Sequence, residues 1–203
     1  MDLPIDTLYY MAPKMNMPSI LDKGILCHNK AQGIEHIDFS LYGVQKRRLP
    51  YHDYVPLYFN THTPMQYVLT HDVKGRKAVI EQSDLVFILF KAQTIFSIPN
   101  VQFTDGNAAD RESTLYKEMT DLGKLDWPVI LEKNRCYNSE LKRKKAAEVL
   151  VPSRIPPEYF QKIACYDGDA IDYIKENVEK NNIQTLQRHN IPIIIDSVLY
   201  YND

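Results

Sequence analysis

The sequence predicts an α+β fold, and two observations support this. Strand-like and helix-like segments follow one another without the regular strand–helix–strand rhythm of a doubly wound sheet. The seven glycines are scattered, and neither GxGxxG nor GxxxxGK[ST] occurs, so the sequence does not predict a Rossmann or P-loop nucleotide site. With 203 residues, 44% of them hydrophobic and 25% charged, the chain is predicted to form one globular domain over residues 1–203.

The N-terminal quarter predicts a strand, a helix and a long loop. A short extended segment ends at Tyr9-Tyr10-Met11. A helix follows, with Asn16 as its N-cap and Gly24 closing it, because these residue types favour those positions. Residues 27–45 are loop-like, with a short helix expected near Phe39 to Gln45.

The central part carries the clearest strand signal. Asp84 to Phe90 is a continuous run of apolar, aromatic and β-branched residues, which predicts a buried strand. Further strands are predicted over Val55 to Asn60 and Val101 to Thr104. Short helical segments are expected over Pro64 to Leu69 and Gln93 to Phe96.

The second half predicts helices and strands in alternation. Leu115, Met119 and Leu122 form a stripe that predicts a helix over Glu112 to Leu122, and Trp127 is expected to anchor the core. The remaining segments are a helix or loop over 140–145, strands over 146–151, 159–166 and 191–195, and a helix over 168–180.

Charge and cysteine usage limit the functional class. A net charge of −2 argues against a dedicated nucleic-acid coat protein but permits a local cationic groove. Lys46-Arg47-Arg48 and the run from Lys142 to Lys145 are cationic clusters, which taken alone are typical of solvated faces. The odd, widely spaced cysteines and the absence of a signal or membrane-span pattern predict a cytoplasmic protein, and no histidine pair suits zinc, so no metal is expected.

Glu148 interrupts the apolar run from Ala146 to Val151. Strand alternation places it on the same face as Ala146 and Leu150. A buried carboxylate needs a partner or a purpose, because burying a lone charge is costly. The residues alone leave two interpretations open: an edge-strand Glu paired with a nearby lysine, or a functional acid.

An arginine pair and three tyrosines can also be interpreted in two ways from the residues alone. Arg47 and Arg48 are typical of surface charge, yet the planar guanidinium can bind a pyrophosphate through two hydrogen bonds. The aromatic side chains of Tyr54, Tyr58 and Tyr67 suit core packing, but such rings can also clamp nicotinamide or stack on bases.

Seven segments, in order, resemble the DarT family of nucleic-acid ADP-ribosyltransferases over nearly the full chain. The most specific is His52-Asp53-Tyr54-Val55-Pro56-Leu57-Tyr58-Phe59. The others are Tyr9 through Leu26, Val44-Gln45-Lys46-Arg47-Arg48, Thr63-Pro64-Met65-Gln66-Tyr67, Phe103-Thr104-Asp105, Leu125-Asp126-Trp127 and Lys144 through Val151. One such match would be weak, but seven in the right order make chance a poor explanation.

The resemblance implies a split β-sheet that holds NAD in a cleft, with NAD as co-substrate and no metal. Glu148 matches the catalytic Glu of the family, and Arg48 matches its essential Arg. Residues expected to bind NAD are Tyr10, Arg47, Tyr58, Thr63, Met65 and Tyr67. The segment from Phe103 to Lys145 corresponds to the substrate-recognition loop, and its expected nucleic-acid contacts are Arg111, Tyr116, Arg135, Tyr137, Lys144 and Lys145.

The same resemblance implies transfer of ADP-ribose to a base of single-stranded nucleic acid, DNA before RNA. It further implies a toxin or phage-defence role with a macrodomain-type antitoxin. Tyr10 and Ala12 depart from the family pattern, which has His and a hydroxyl residue there, and Thr61-His62-Thr63 replaces a pattern with Arg-Ser. These departures keep two alternatives open: a non-catalytic module that binds NAD or nucleic acid, and a transferase with a protein acceptor.

Overall fold

The structure is a computed structural model that describes residues 3–38, 46–73 and 78–201. The strands are β1 (Thr7–Pro13), β2 (Ile25–Leu26), β3 (Tyr54–Tyr58), β4 (Leu85–Lys91), β5 (Gln102–Thr104), β6 (Leu115–Tyr116), β7 (Glu148–Pro152), β8 (Arg154–Ile155), β9 (Lys162–Cys165) and β10 (Ile193–Ile195). The helices are α1 (Met17–Lys23), α2 (His28–Ala31), α3 (Pro64–Thr70), α4 (Ala92–Phe96), α5 (Trp127–Ile130), α6 (Ser139–Lys145), α7 (Gly168–Asn177) and α8 (Lys180–Arg188). Short 3-10 segments cover Lys14–Asn16, Leu49–Tyr51, Gln82–Asp84, Met119–Lys124, Pro157–Tyr159 and Ser197–Leu199.

A large mixed sheet organises the molecule and confirms the α+β prediction. Its strand order is β10-β9-β4-β1-β3-β7-β5-β6, and β2 pairs with β8 in a separate two-stranded sheet. The pairings in the large sheet are antiparallel except that of β9 with β10, which is parallel. Consecutive strands are rarely neighbours, so contacts between distant segments decide the sheet.

The sheet opens between β1 and β3. Strand β1 is in register with β4 from Thr7 opposite Lys91 to Pro13 opposite Leu85, whereas β1 and β3 share the single register pair Tyr9 and Tyr58. Strand β3 instead pairs along its whole length with β7. Since only this one register pair joins them, the sheet divides here into two halves, and we refer to this junction as the cleft.

Apolar side chains fill both faces of the sheet. The larger core lies on the face that carries Leu8, Ala12, Leu57 and Val149. Helix α1 contributes Leu21 to this core, and helix α7 contributes Ile174. The opposite face carries a smaller cluster of Leu85, Phe87, Leu89, Ala164 and Tyr200. Strand β4 is buried on both faces, as its continuous apolar run predicts.

Helix α1 confirms the predicted boundaries. Asn16 precedes it and Gly24 ends it with φ 76°, a conformation that favours glycine. A Cβ on Gly24 would also lie 2.5 Å from the backbone oxygen of Ile155, so the close approach of β8 demands the same residue. The Asn16 side chain does not cap the helix; it exchanges hydrogen bonds with the backbone of Ile37, at 2.8 and 2.9 Å.

One predicted helix is corrected, and another is shorter than predicted. Glu112 to Leu122 is not a helix: it contains β6, in which Tyr116 pairs with Phe103 of β5, and the 3-10 segment Met119–Lys124. Pairing at the sheet edge therefore outweighs the helical stripe. The helix predicted over 168–180 is present as α7 but ends at Asn177, because a capping box of Glu179 and Asn182 begins α8 at Lys180.

The other predicted elements are present with boundaries moved by at most three residues. The alternative for 140–145 is resolved as helix α6, which Asn138 caps through its side chain. Trp127 is only partly buried; its indole N–H donates to the Leu122 carbonyl at 2.9 Å and its ring meets Phe59 edge-on. The short helix expected near residues 39–45 lies outside the described residues.

Candidate active site

Arg48 and Glu148 form a bidentate ion pair at the cleft. Arg48 Nη1 and Nη2 donate to Glu148 Oε1 and Oε2 at 2.8 and 2.7 Å. The Glu148 side chain is 1% exposed and that of Arg48 15% exposed. Because β7 lies between β3 and β5, the interpretation of Glu148 as an edge-strand residue paired with a lysine is wrong.

The electrostatics of the pair favour the charged guanidinium. Burial by itself lowers the pKa of Arg48, but the attraction and hydrogen bonds of Glu148 outweigh burial and raise that pKa overall. A fixed cation and a carboxylate therefore face each other in a water-poor place, where charges act more strongly than in solvent. Removing either partner would leave the other buried and uncompensated.

Two hydrogen bonds hold Glu148 in place, and a third fixes the Thr104 hydroxyl that makes one of them. Its N–H donates to the Thr104 hydroxyl at 3.2 Å, and the Thr104 hydroxyl donates to the Gly106 carbonyl at 2.6 Å. The N–H of Ala108 donates to Glu148 Oε1 at 3.3 Å. The sequence analysis missed Thr104 and Ala108 as site residues; only the Phe103-Thr104-Asp105 motif pointed there.

Arg143 fixes the segment that covers Glu148. Its Nη1 donates to Asp105 Oδ1 and to the Ser113 hydroxyl, both at 3.2 Å, and its backbone carbonyl accepts from the Asn107 N–H at 3.0 Å. A Cβ on Gly106 would lie 2.5 Å from Arg143 Nη1. The guanidinium thus occupies the space beside Gly106 and holds the backbone that reaches Glu148.

Two of the residues expected to bind NAD lie beside Glu148, and a third is on the neighbouring strand. Tyr58 faces Glu148 across the β3–β7 pairing, and its hydroxyl donates to the Met65 sulfur at 3.7 Å. Tyr10 lies on β1 on the other side of the cleft. Burial, followed by the charge of Asp38, raises the pKa of the Tyr10 phenol to about 12. Burial likewise raises the pKa of the Tyr58 phenol, so both phenols are neutral donors at ordinary pH.

A small cavity of about 70 Å³ opens beside Tyr10. Its lining includes Gly24, Ile25, Ile34 and His36, so it lies between β1, α1 and the segment after α2. A larger cavity of about 360 Å³ lies elsewhere, against β5 and residues 117–119, and none of the predicted site residues line it.

The other expected NAD contacts have different surroundings. Thr63 is buried, and its hydroxyl accepts from the Gln66 N–H at 3.2 Å, so it caps α3. Tyr67 stacks on His71 with ring centres 4.4 Å apart and meets Tyr201 edge-on. Arg47 is exposed. Tyr58 and Met65 are thus the expected NAD contacts that lie beside Glu148.

Arg135 and Tyr137 form an exposed stack in the predicted recognition loop. The Arg135 guanidinium lies 4.4 Å from the ring centre of Tyr67 and 4.8 Å from that of Tyr137. Its Nη1 donates to the Tyr67 hydroxyl at 2.5 Å, and Tyr137 is 75% exposed. Arg111 is exposed. Tyr116 is half-buried, since it stacks on Phe103 at 5.4 Å.

The two lysines expected to contact nucleic acid both have partners within the protein. Lys144 Nζ pairs with Asp126 at 2.9 Å. Lys145 is 2% exposed, and its ammonium donates to the backbone carbonyls of Glu132 and Asn134. An enclosed ammonium bonded to carbonyls does not reach a phosphate in solvent.

Among the residues that the structure describes, no helix has both the length and the apolar character needed to cross a membrane. The same residues hold no group of three or more His, Cys, Asp or Glu side chains arranged around a metal position.

Comparison with known proteins places residues 9–201 under one family model, described as "ssDNA thymidine ADP-ribosyltransferase, DarT". The chain is 31% identical, over 96% of its length, to a DNA ADP-ribosyl transferase–DNA ADP-ribosyl glycohydrolase fusion protein of Thermosipho africanus, and it spans 49% of that protein. It is 27% identical to a DNA ADP-ribosyl transferase of Thermus sp., with 78% of this chain and 80% of that protein covered. The chain thus spans about half the length of the Thermosipho fusion protein.

Solved structures show the same fold. Thermus sp. 2.9 DarT in complex with ADP-ribosylated ssDNA superposes with a TM-score of 0.79 at 22% identity, covering 99% of this chain and 100% of that one. The complex of the same Thermus protein with NAD+ superposes with a TM-score of 0.74 at 21% identity, covering 99% of this chain and 100% of that one. Thermosipho africanus DarTG in complex with ADP-ribose gives 0.76 at 26% identity, covering 97% of this chain and 51% of that one.

Proposed function

This chain belongs to the DarT family of ssDNA thymidine ADP-ribosyltransferases, and from that membership we propose that it transfers ADP-ribose from NAD to a thymidine base of single-stranded DNA. The observation that carries the proposal is the buried, bidentate pair of Arg48 and Glu148 at the split of the sheet. A carboxylate held so firmly beside an open junction suits a reaction in which positive charge develops on a sugar.

The proposed reaction is a pentosyl transfer. The bond between ribose C1′ and the nicotinamide nitrogen breaks, and its electron pair leaves with nicotinamide. The ribose then has oxocarbenium character, which Glu148 stabilises electrostatically and orients through the ribose hydroxyls. A new bond forms between C1′ and the base, which gives up a proton. Arg48 is a poor proton acceptor, so its role is electrostatic.

The NAD site we propose occupies the cleft between β1 and β3. Tyr58 and Met65 lie beside Glu148, and Tyr10 lies across the cleft with a neutral hydroxyl that suits a ribose oxygen. Arg47 precedes Arg48 in the chain and is exposed to solvent. Its planar guanidinium can therefore bind the pyrophosphate of NAD through two hydrogen bonds. Thr63 and Tyr67 have an indirect role in this proposal, because they stabilise α3, the helix that carries Met65.

The DNA surface we propose is the exposed part of the segment from Phe103 to Lys145. Arg135 and Tyr137 offer a cation and a ring for stacking, and Arg111 adds a second exposed cation. A single strand suits such a surface because a base inside a duplex would first have to be extruded. The family description and the relatives name DNA, so the nucleic-acid substrate we propose is DNA.

The biological role we propose is that of a toxin in the cytoplasm. One relative carries a DNA ADP-ribosyl glycohydrolase in the same chain, which supports a separate macrodomain-type hydrolase as the antitoxin of this protein. Defence against phage is a narrower use of the same activity, because modified single-stranded DNA would block replication.

The test is transfer of labelled ADP-ribose from NAD to single-stranded oligonucleotides that differ only in having or lacking thymidine. We expect label on the thymidine-containing DNA, and its loss in Glu148→Gln. Lys175→Met is the control, because Lys175 is an exposed residue of α7. Label on protein would instead support a protein acceptor, and tight NAD binding with no turnover would support a non-catalytic module; either result would overturn the proposal.

A further inference from the structure

Lys145 is a buried cation that the proposed chemistry does not use. It is the last residue of α6, three residues before Glu148, and its ammonium donates to the Glu132 carbonyl and, at 2.9 Å, to the Asn134 carbonyl. Burial lowers the pKa of Lys145. Burying an ammonium is costly unless hydrogen bonds compensate for its lost hydration, so a lysine at this place calls for a specific role.

The carbonyls that Lys145 binds belong to a loop that a second side chain, Asn60, also holds by hydrogen bonds. Asn60, which follows β3, donates through Nδ2 to the carbonyls of Ile130 and Glu132 at 3.0 and 3.1 Å. The Glu132 carboxylate accepts from the backbone and side-chain N–H groups of Asn134, at 2.8 and 2.9 Å. Asn60 and Lys145 thus attach the segment 130–134 to the ends of the two strands that carry Tyr58 and Glu148.

The next residues of this loop are the exposed stack. Arg135 lies against Tyr67 and under Tyr137, and Tyr137 projects into solvent. A guanidinium and an aromatic ring at the surface suit the phosphates and base faces of a single strand. Their position relative to Glu148 depends on the backbone of residues 132–134, which Lys145 and Asn60 hold.

We propose that Lys145 is a positioning residue: it fixes the loop of residues 132–137 so that Arg135 and Tyr137 engage single-stranded DNA, and it contacts neither NAD nor DNA itself. This inference rests on the proposed function, because it assigns the loop to the binding of the nucleic-acid substrate. Lys145 acts on affinity for DNA, whereas Glu148 acts on the reaction.

The first test measures equilibrium binding of a fluorescent thymidine oligonucleotide to the Lys145→Met protein. Fluorescence anisotropy reports the bound fraction. We expect Kd for DNA to rise about tenfold, the size expected for lost charge-assisted hydrogen bonds. Kd for NAD should stay unchanged, and in transfer assays KM for the oligonucleotide should rise while kcat changes by less than about twofold. Lys175→Met removes the same charge elsewhere and should leave Kd for DNA unchanged. A loss of kcat at constant KM would overturn the proposal, because Lys145 would then act on Glu148.

The second test is a double-mutant cycle. In a background of Arg135→Ala with Tyr137→Ala, Lys145→Met should add less than about twofold to Kd for DNA, since residues that act through one another are not additive. Full additivity would overturn the proposal. Binding is measured without transfer, so a wild-type protein that binds DNA but transfers nothing would refute the proposed function and leave this inference intact.

A third variant keeps the inference testable if Lys145→Met does not fold. Asn60→Asp removes the donor to the Ile130 and Glu132 carbonyls but keeps the oxygen that accepts from the His62 N–H. We expect the same pattern at a smaller size, about threefold in Kd for DNA with Kd for NAD unchanged. Unchanged DNA binding in a folded Asn60→Asp protein would overturn the proposal, and the melting temperature establishes that it is folded.

Discussion

Tyr58 lies directly opposite Glu148 in the antiparallel pairing of β3 with β7. Burial, followed by the charge of Glu148, raises the pKa of the Tyr58 phenol, and Arg48 offsets part of that effect. The phenol therefore remains protonated at ordinary pH and is a hydrogen-bond donor beside the carboxylate. One cross-strand pair thus places a neutral donor and an acid at the same point of the cleft.

Glu148→Ala and Glu148→Gln should both lower transfer strongly but differ in stability. Alanine leaves the Arg48 guanidinium buried without a partner, so the free energy of unfolding should fall by about 3 kcal/mol. Glutamine keeps an acceptor oxygen of the same shape and should cost less, while activity falls at least about a hundredfold in both variants. Urea denaturation with transfer assays checks this, and equal stability of the two variants would contradict it.

Tyr10→Phe should weaken NAD binding. The ring and its packing stay, but the neutral hydroxyl at the cleft is lost, and KM for NAD should rise about three- to tenfold as expected for one hydrogen bond. Tyr10→His retains a donor and should lose less. Steady-state kinetics at saturating oligonucleotide measures both. A Tyr10→Phe enzyme with wild-type KM would show that the phenol does not contact NAD.

Gly106→Ala should damage the site, while Gly123→Ala should not. A Cβ on Gly106 would lie 2.5 Å from Arg143 Nη1 and 2.7 Å from the Ser113 hydroxyl, whereas nothing lies within 4 Å of one on Gly123. Displacing Arg143 would release the segment whose Ala108 N–H reaches Glu148, and kcat should fall about tenfold. Melting temperature and kcat of both variants test this, and a neutral Gly106→Ala would refute it.

His62 should make stability depend on pH. Burial lowers its pKa, partly offset by the hydrogen bond to the Tyr200 carbonyl, so the folded protein binds fewer protons than the unfolded chain just below pH 6.5. The contribution of His62 to the free energy of unfolding should therefore be complete above about pH 6.5. It should decline as the pH falls from there through the lowered pKa of the folded protein.

The check on His62 is denaturant unfolding of wild type and His62→Gln at pH 7.5 and 5.5. The variant should be less stable at pH 7.5, because contacts with Thr61 and Tyr200 are altered. Its stability should change less between the two pH values. The same pH dependence in both proteins would assign the effect to other groups.

Local patterns in the chain were enough to predict most elements. The apolar run at Asp84 to Phe90 predicts β4 because burial on both faces requires it, and Gly24 marks the end of α1 because a left-handed residue is needed there. The stripe at Leu115, Met119 and Leu122 failed because pairing of Tyr116 with Phe103 at the sheet edge outweighs a helical preference.

The sequence by itself determined the α+β class, the burial of Glu148 and the ordered motifs that indicate the family. These follow from side-chain periodicity and residue type, which act over a few neighbours. Only the tertiary structure decided that Arg48, rather than a lysine, neutralises Glu148 and that Lys145 faces carbonyls rather than solvent. Such pairings join segments far apart in the chain, so they depend on strand order and register, which local preferences do not specify.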